Sequence, residues 1–233
     1  MSKSISPAVM PHNMTHFLRL ADHLTLEELH DRTGVSTNML SRMERGQYGS
    51  ISTTKRVADA FRVSMNTLAR NDYLALAKER PEPILVSDRH RRQYRSQQAV
   101  KNEVGDAGEA YVLELERARL ANTPFAALVN GNYSEDFRAG FDIASFTENG
   151  EPLSIEVKSS LDASPEPDFY ITAGELRFAI QAARNGWNYR LIYVYGMRAR
   201  NREKWNCRSF TADEVLALPL QVATFRVGKA VRA

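Results

Sequence analysis

Two carboxylates and one lysine stand in neighbouring segments of alternating polarity in the second half of the chain. Asp142 lies in the apolar segment GFDIASF, and Glu156 and Lys158 lie two residues apart in SIEVKSS. Residues two apart on a strand project from one face, so Glu156 and Lys158 face the same way while the alternate apolar residues pack on the other face. Carboxylate oxygens suit Mg²⁺, and a neighbouring lysine can orient or deprotonate a water that attacks a phosphodiester. The residues therefore indicate metal-dependent hydrolysis of a phosphodiester.

Two short strands joined by a tight turn must hold these residues. The β-type runs cover residues 141–146 and 153–157, and residues 147–150 (TENG) form a hairpin turn signal between them. If the chain turns there, Asp142 on the first strand lies within reach of Glu156 on the second. The sequence therefore predicts that the two carboxylates and the lysine converge.

Helices and strands alternate around this hairpin. Apolar spacing predicts a helix over 107–122, a brief strand at 169–171, a helix over 173–184 that begins at a Thr172 cap, and a buried strand over 189–195. This order of elements predicts an α+β domain.

The ordered segments of this domain resemble known families. An Asp followed by Glu-x-Lys on the next strand resembles the PD-(D/E)xK nuclease superfamily. The segments GEAYV, GFDI, IEVKSS, FYITAGELRFA and YRLIYVYG, over about residues 104–194, resemble the C-terminal domain shared with the plant protein NO VEIN. These resemblances imply a restriction-endonuclease-like fold.

The resemblance also implies roles for individual residues. Asp142 and Glu156 are then the ligands of Mg²⁺. Lys158 acts on the attacking water, and Glu109, on the preceding helix, completes the set of catalytic residues. These roles are what the superfamily assigns to the matching positions.

Two further features bear on the comparison with that superfamily. In the NO VEIN domain, the helix after the third strand tends to begin with a polar cap and to carry a Glu. Thr172 and Glu175 match these two positions. A proline often precedes the Asp, whereas Gly140 and Phe141 stand before Asp142 here. This departure leaves the proposed metal ligands in place.

The first seventy residues carry a different pattern, a series of short helices. Thr25 and Glu28 form a capping-box pattern at the start of one helix. Gly34 supplies the backbone freedom that a tight helix exit needs. Ser36 can cap the next helix, which stops at Gly46. Two helices joined by a glycine turn are therefore expected here.

The run LTLEELHDRTGVSTNMLSRMERG predicts a helix-turn-helix, whose second helix enters the major groove of double-stranded DNA. Polar side chains on the outer side of that helix suit base edges, and nearby basic side chains suit phosphates. The predicted base-facing residues are Thr37, Asn38, Ser41 and Arg42, and the predicted backbone contacts are Arg45, Lys55 and Arg56. Further helices over 53–61 and 64–70 complete an all-α domain.

Residues from about 17 to 68 resemble the lambda-repressor and Cro class of helix-turn-helix domains. The resemblance rests on Leu29, Gly34, Val35 and Ser36 at the turn, on Ser41, Glu44 and Gly46 after it, and on Ala58, Phe61, Val63, Ser64 and Leu68. Two positions depart from that class: His30 stands where it favours alanine, and Leu26 where it often has a phosphate-binding Gln. A helical bundle used for protein contacts is the alternative interpretation.

A chain of 233 residues has room for two modest domains. We expect an N-terminal arm over 1–13, the all-α domain over 14–72, a basic linker over 73–103 and the α+β domain over 104–233. This division predicts that the linker separates the two folded units.

Positive charge is concentrated in two stretches, although the formal net charge is only +3. Either stretch is a candidate for contact with phosphates, and either is equally consistent with solvated surface. The first consists of Lys78, Arg80, Arg89, Arg91, Arg92, Arg95 and Lys101; the second consists of Arg198, Arg200, Arg202, Lys204 and Arg208.

Several classes of protein are disfavoured by composition. The single cysteine, Cys207, can form neither an internal disulfide nor a zinc site. The sequence contains no run of about eighteen apolar residues and no secretory signal, so we expect a cytoplasmic protein without a membrane partner. The aromatic residues Trp187, Tyr189, Tyr193 and Tyr195 are expected in the core of the second domain.

Two functions fit these patterns. In the first, the helix-turn-helix domain brings an Mg²⁺-dependent DNA endonuclease, of a defence or restriction type, to its DNA. In the second, the protein is a transcriptional regulator whose nuclease-like domain is not catalytic and serves dimerisation, ligand sensing or extra DNA contact. Both favour a homodimer, because one short recognition helix reads few base pairs.

Overall fold

A computed structural model describes residues 13–85, 99–135, 139–199 and 201–220 of the chain. The predicted N-terminal arm, apart from Asn13, lies outside the described residues. So do Arg89, Arg91, Arg92 and Arg95 of the first basic stretch and Arg200 of the second.

The N-terminal half of the described chain is helical. Its helices are α1 (Met14–Ala21), α2 (Leu26–Thr33), α3 (Thr37–Glu44), α4 (Ile51–Phe61), α5 (Met65–Arg70) and α6 (Tyr73–Glu79). The last of these falls at the start of the range expected as a linker.

Side-chain caps set the limits of the helices around the predicted turn. Thr25 and Glu28 exchange reciprocal hydrogen bonds at the start of α2, and the Ser36 hydroxyl accepts from the Met39 amide at the start of α3. Between them Gly34 has a φ of 63°, a left-handed conformation that glycine adopts without a steric penalty. The predicted helix, turn and helix are confirmed.

The C-terminal half combines helices with a sheet. Its elements are α7 (Ala99–Arg119), β1 (Ile143–Phe146), β2 (Pro152–Ser159), α8 (Ala173–Asn185), β3 (Asn188–Tyr195), β4 (Asn206–Phe210) and α9 (Ala212–Ala217). The strands form one mixed sheet in the order β1-β2-β3-β4, in which β2 and β3 are parallel and the two outer pairs are antiparallel. The predicted α+β class is confirmed, and so is the hairpin.

The strand predicted at 169–171 is not formed. These residues carry no strand hydrogen bonds, and the Tyr170 side chain is 75% exposed. Phe169 instead lays its ring near Tyr193, with centroids 5.7 Å apart. Phe169 and Ile171, whose apolar side chains suggested a strand, pack against the second buried cluster from a loop.

The sheet is covered on both faces. Ile155 and Val157 of β2 belong to the same buried cluster as Val112 of α7. On the opposite face Leu191 of β3 packs in a second cluster with Ala179 of α8. Glu156 and Lys158 alternate with Ile155 and Val157 along β2 and therefore lie on the face that α8 covers.

Each helix in the described ranges is too short or too polar to span a bilayer.

One aromatic cluster joins the helical half to the sheet. The ring of Phe146, at the end of β1, lies 5.1 Å from Tyr73 of α6, 6.3 Å from Phe17 of α1 and 5.5 Å from Phe125, measured between centroids. The Asn130 side-chain amide donates to the Phe17 carbonyl oxygen at 3.4 Å. Phe146 and Phe17 are fully buried. The two halves therefore share a continuous apolar core.

We expect Phe146→Ala to lower the free energy of unfolding by about 3–5 kcal/mol, because a large buried ring is removed from a core that cannot fully collapse. Urea denaturation followed by circular dichroism should show one cooperative transition in the parent and in the variant. Ile51→Ala, which changes a side chain that is 76% exposed, is the control and should shift the transition little. Two separate transitions in the parent, with only one moved by Phe146→Ala, would contradict the shared core.

Candidate functional site

The turn between α2 and α3 is held by side chains from two directions. The Arg56 guanidinium, on α4, donates to the carbonyl oxygens of Thr33 and Gly34 at 3.3 and 3.4 Å. The His30 Nδ1–H donates to the Val35 carbonyl oxygen at 2.9 Å. His30, a departure from the lambda-repressor and Cro class, thus contributes to the turn in this chain.

Helix α3 presents one buried side and one polar side. Leu40 and Met43 are fully buried against the neighbouring helices. The predicted base-facing residues lie on the other side, where Asn38 and Arg42 are exposed and Thr37 and Ser41 are half-buried. This is the arrangement that a recognition helix requires.

The predicted phosphate contacts already have partners within the protein. Arg45 donates to the Ser41 hydroxyl at 2.7 Å, and Lys55 forms an exposed ion pair with Asp59 at 2.7 Å. Arg56 is exposed but is bonded to the turn, as described above. All three side chains remain on the surface, and an exposed pair of this kind is weak enough to be exchanged for a phosphate.

The second site lies where β1 and β2 pair. The register sets Ile143 opposite Ile155, which places Asp142 opposite Glu156. The Val157 amide donates to Asp142 Oδ2 at 2.8 Å, and the Asp142 amide donates to the Ile155 carbonyl oxygen at 2.9 Å. The hairpin therefore fixes the Asp142 carboxylate against the β2 backbone, beside Glu156.

Lys158 ties this strand to helix α8. Its Nζ lies 2.7 Å from Glu156 Oε1 and 2.8 Å from Glu175 Oε2. Glu175 is positioned by the capping box at the start of α8, because its Oε2 also accepts from the Thr172 amide at 2.9 Å. Glu175, which only the NO VEIN resemblance had suggested, is thus a direct partner of Lys158. Its spacing from Thr172, that of a capping box, was the signal in the sequence for its position.

Burial dominates the electrostatics of this cluster. Burial raises the pKa of Asp142 to about 6, and it raises the pKa of Glu156 well above its usual range, with the Asp142 carboxylate adding to the effect. Burial opposes the charge on Lys158, but the carboxylates of Glu156 and Glu175 outweigh it and raise its pKa. The cluster sets three carboxyl groups, those of Asp142, Glu156 and Glu175, against one lysine, and two of the three hold their protons more tightly than usual.

Glu109 lies on α7, the helix that covers the opposite face of the sheet. It follows Gly108, where a Cβ would come within 1.9 Å of the Ser159 hydroxyl oxygen, so α7 crosses the end of β2 closely at that point. Within the described ranges no three His, Cys, Asp or Glu side chains are arranged to hold one metal ion. Glu109 is therefore near the strand that carries Glu156 but does not form a three-ligand set with the two carboxylates.

The two carboxylates fit a hard divalent cation. Glu156 is 2% exposed, and its Oε2 has no hydrogen-bond partner. Asp142, directly opposite, keeps a small part of its surface exposed. Mg²⁺ is commonly bound through one or two carboxylates, with waters and substrate phosphates completing its shell. Two carboxylates, one with an unused buried oxygen, meet that requirement.

The second basic stretch follows β3 at the end of the sheet where β2 also ends. β2 and β3 are parallel and end side by side, with Ser159 opposite Val194, and Arg198, Arg202 and Lys204 follow β3 on the surface. Arg202 forms an exposed ion pair with Glu114 at 3.2 Å. Lys158 and these basic residues thus lie toward the same end of the sheet, with Arg202 beside α7.

These features define a two-part protein in which a helix-turn-helix is joined to an α+β domain with a carboxylate and lysine cluster. Residues 17–68 match the family model described as Helix-turn-helix, and residues 108–207 match the model described as Protein NO VEIN, C-terminal. The chain is thus a fusion of these two kinds of domain, and the first match supports DNA binding. No curated protein and no solved structure matches the chain.

We expect Arg56→Ala to lower the free energy of unfolding by about 1 kcal/mol, because the Thr33 and Gly34 carbonyls lose a donor. Lys55→Ala removes the same charge from the same helix but only an exposed ion pair, so its effect should stay below about 0.5 kcal/mol. Urea denaturation measures both. Affinity for a short duplex, followed by fluorescence anisotropy, should fall more for Arg56→Ala. Equal effects of the two variants on both measurements would show that Arg56 does not hold the turn.

In chelator, we expect Asp142→Asn to be more stable than the parent at about pH 8 and to lose most of that advantage at about pH 4. The pKa of Asp142 rises from 3.8 to about 6 on folding. The folded state therefore holds its proton more tightly, and the free energy of unfolding falls as the pH rises through that window. The shift corresponds to at most about 3 kcal/mol.

Urea denaturation at both pH values checks this expectation, with Asp168→Asn as the control because Asp168 is exposed. Asn retains the oxygen that accepts from the Val157 amide. A variant no more stable than the parent at about pH 8 would show that folding does not raise the pKa of Asp142.

Proposed function

We propose that the protein is a DNA endonuclease of the PD-(D/E)xK type, in which the helix-turn-helix domain selects the DNA and the NO VEIN-like domain hydrolyses a phosphodiester. The observation that carries the proposal is the pairing of Asp142 opposite Glu156, whose buried Oε2 is unused, with the Lys158 ammonium beside them. Asp142 and Glu156 would hold Mg²⁺. When bound, the ion would polarise a phosphate oxygen and lower the pKa of a bound water.

Lys158 is suited to orienting a water or a phosphate oxygen. An ammonium has three donors, and Glu156 and Glu175 accept two of them. The third donor remains for the reacting groups. Because two carboxylates hold the lysine in its charged form, orientation and charge stabilisation account for its role better than removal of a proton does.

The approach of DNA to this site is supported by charge. The basic residues Arg198, Arg202 and Lys204 lie on the surface at the end of the sheet toward which Lys158 lies, and they are suited to contact DNA phosphates. Thr37, Asn38, Ser41 and Arg42 would read base edges in the major groove. We infer that two copies act together, since one short recognition helix reads few base pairs.

One observation favours a second function, a transcriptional regulator with a non-catalytic second domain. Lys158 is already bonded to two carboxylates, and Glu156 is almost completely buried. An ion cluster of this kind can also serve only to attach α8 to the sheet. This function predicts DNA binding without cleavage.

A cleavage assay separates the two functions. We expect the parent to nick or cut supercoiled plasmid DNA in Mg²⁺ and not in chelator, and we expect Lys158→Met and Asp142→Asn each to reduce the rate at least about 100-fold while duplex binding is retained. Asp168→Asn is the matched control and should cut like the parent. Circular dichroism should show that all four proteins are folded at the temperature of the assay.

Either of two results would overturn the proposal that this site cleaves DNA, and the first would favour the regulator. The first is a parent that binds DNA and leaves it intact in both Mg²⁺ and Mn²⁺. The second is cleavage that persists unchanged in Asp142→Asn, which would place the activity elsewhere or in a contaminant.

A further inference from the structure

Two buried polar atoms without partners lie in the same layer of the second domain. One is Glu156 Oε2, and the other is the hydroxyl oxygen of Tyr189. The two residues are 2% and 4% exposed. Buried polar atoms are nearly always hydrogen-bonded, so an unpaired donor near an unpaired acceptor indicates a small polar group that both can bind.

The strand register places the two side chains on one face of the sheet. Tyr189 of β3 is opposite Ser154, and Leu191 is opposite Glu156, so Tyr189 and Glu156 are diagonal neighbours, one pleat apart. A tyrosine side chain is long enough to span this separation.

Helix α8 covers Tyr189 on the face of the sheet that carries Glu156 and Lys158. The ring of Phe178 lies 6.0 Å from that of Tyr189, and Phe178 follows Glu175 by three residues, on the same side of the helix. Burial raises the pKa of the Tyr189 hydroxyl, and the carboxylates of Glu156, Glu175 and Asp142 add to the effect. The hydroxyl therefore lies near all three carboxyl groups, and, as a tyrosine ordinarily is at neutral pH, it is a hydrogen-bond donor.

We propose that Tyr189 is a positioning residue of the cation site, whose hydroxyl donates to a water ligand of the divalent cation beside the free oxygen of Glu156. This inference rests on the proposed function, because it requires that Asp142 and Glu156 hold the cation. Partners that orient the ligands of a metal ion commonly contribute tenfold or more to its affinity. Tyr189 was expected from the sequence only as a core residue, and its position in the core is consistent with both roles.

The experiment measures Mn²⁺ binding to the full chain by calorimetric titration in four proteins: the parent, Tyr189→Phe, Tyr111→Phe and Asp142→Asn. Tyr111 lies on α7, which covers the opposite face of the sheet. It is half-buried and meets Trp205 edge-on, so its substitution removes a hydroxyl away from the cluster. We expect Tyr189→Phe to weaken Mn²⁺ binding about tenfold, Tyr111→Phe to bind like the parent, and Asp142→Asn to lose saturable binding.

A second readout separates positioning from packing. In chelator, Tyr189→Phe should melt at the same temperature as the parent or higher, because it removes a buried hydroxyl that has no partner. A lower melting temperature with unchanged Mn²⁺ affinity would show a structural role only and overturn the inference.

The titrations separate the role of Tyr189 from the existence of the cation site itself. Parent-like Mn²⁺ affinity in Tyr189→Phe, with binding abolished in Asp142→Asn, overturns the role of Tyr189 and leaves the cation site intact. A parent that shows no saturable binding overturns both.

Discussion

The ion pairs of Lys158 with Glu156 and Glu175 are the interaction on which the second domain depends. Glu156 is inside the protein, and a buried carboxylate without a partner is costly, so the ammonium compensates for its burial. Because Glu175 belongs to the first turn of α8, the same ammonium fixes where that helix meets the sheet. One lysine thus determines both the charge of the cluster and the cover over it.

Strand β1 connects this cluster to the helical domain. Asp142 precedes its first residue, and Phe146, its last, packs against Phe17 and Tyr73 of the helix-turn-helix half. A strand of four residues therefore carries a candidate metal ligand at one end and the contact between domains at the other. The recognition helix and the candidate catalytic site are consequently held on one continuous core, which suits a protein that must act close to the DNA it selects.

Local patterns predicted much of this structure. The capping box of Thr25 and Glu28 and the glycine at position 34 predicted where the two helices begin and end. The alternation of polar and apolar residues predicted the face of β2 on which Glu156 lies. Such features depend on neighbours in the sequence. The opposition of Asp142 and Glu156 also followed, because a tight turn fixes the register of a hairpin.

Contacts between distant residues were not predictable in this way. Tyr73 was assigned to a linker because nothing in its surroundings indicates the Phe146 ring that it packs against. Strand β4 was missed because it is an exposed edge strand, with only Phe210 buried. The partnership of Lys158 with Glu175 depends on the approach of a helix to a sheet, which no periodicity in the sequence predicts.

Whether Asp142 and Glu156 hold a divalent cation is tested most directly by the anomalous difference density of crystals grown in saturating Mn²⁺. We expect a peak bounded by these two carboxylates, and we expect no such peak in Asp142→Asn. No peak at this site in the parent, or a peak bound only by other residues, would show that the two carboxylates do not hold the cation.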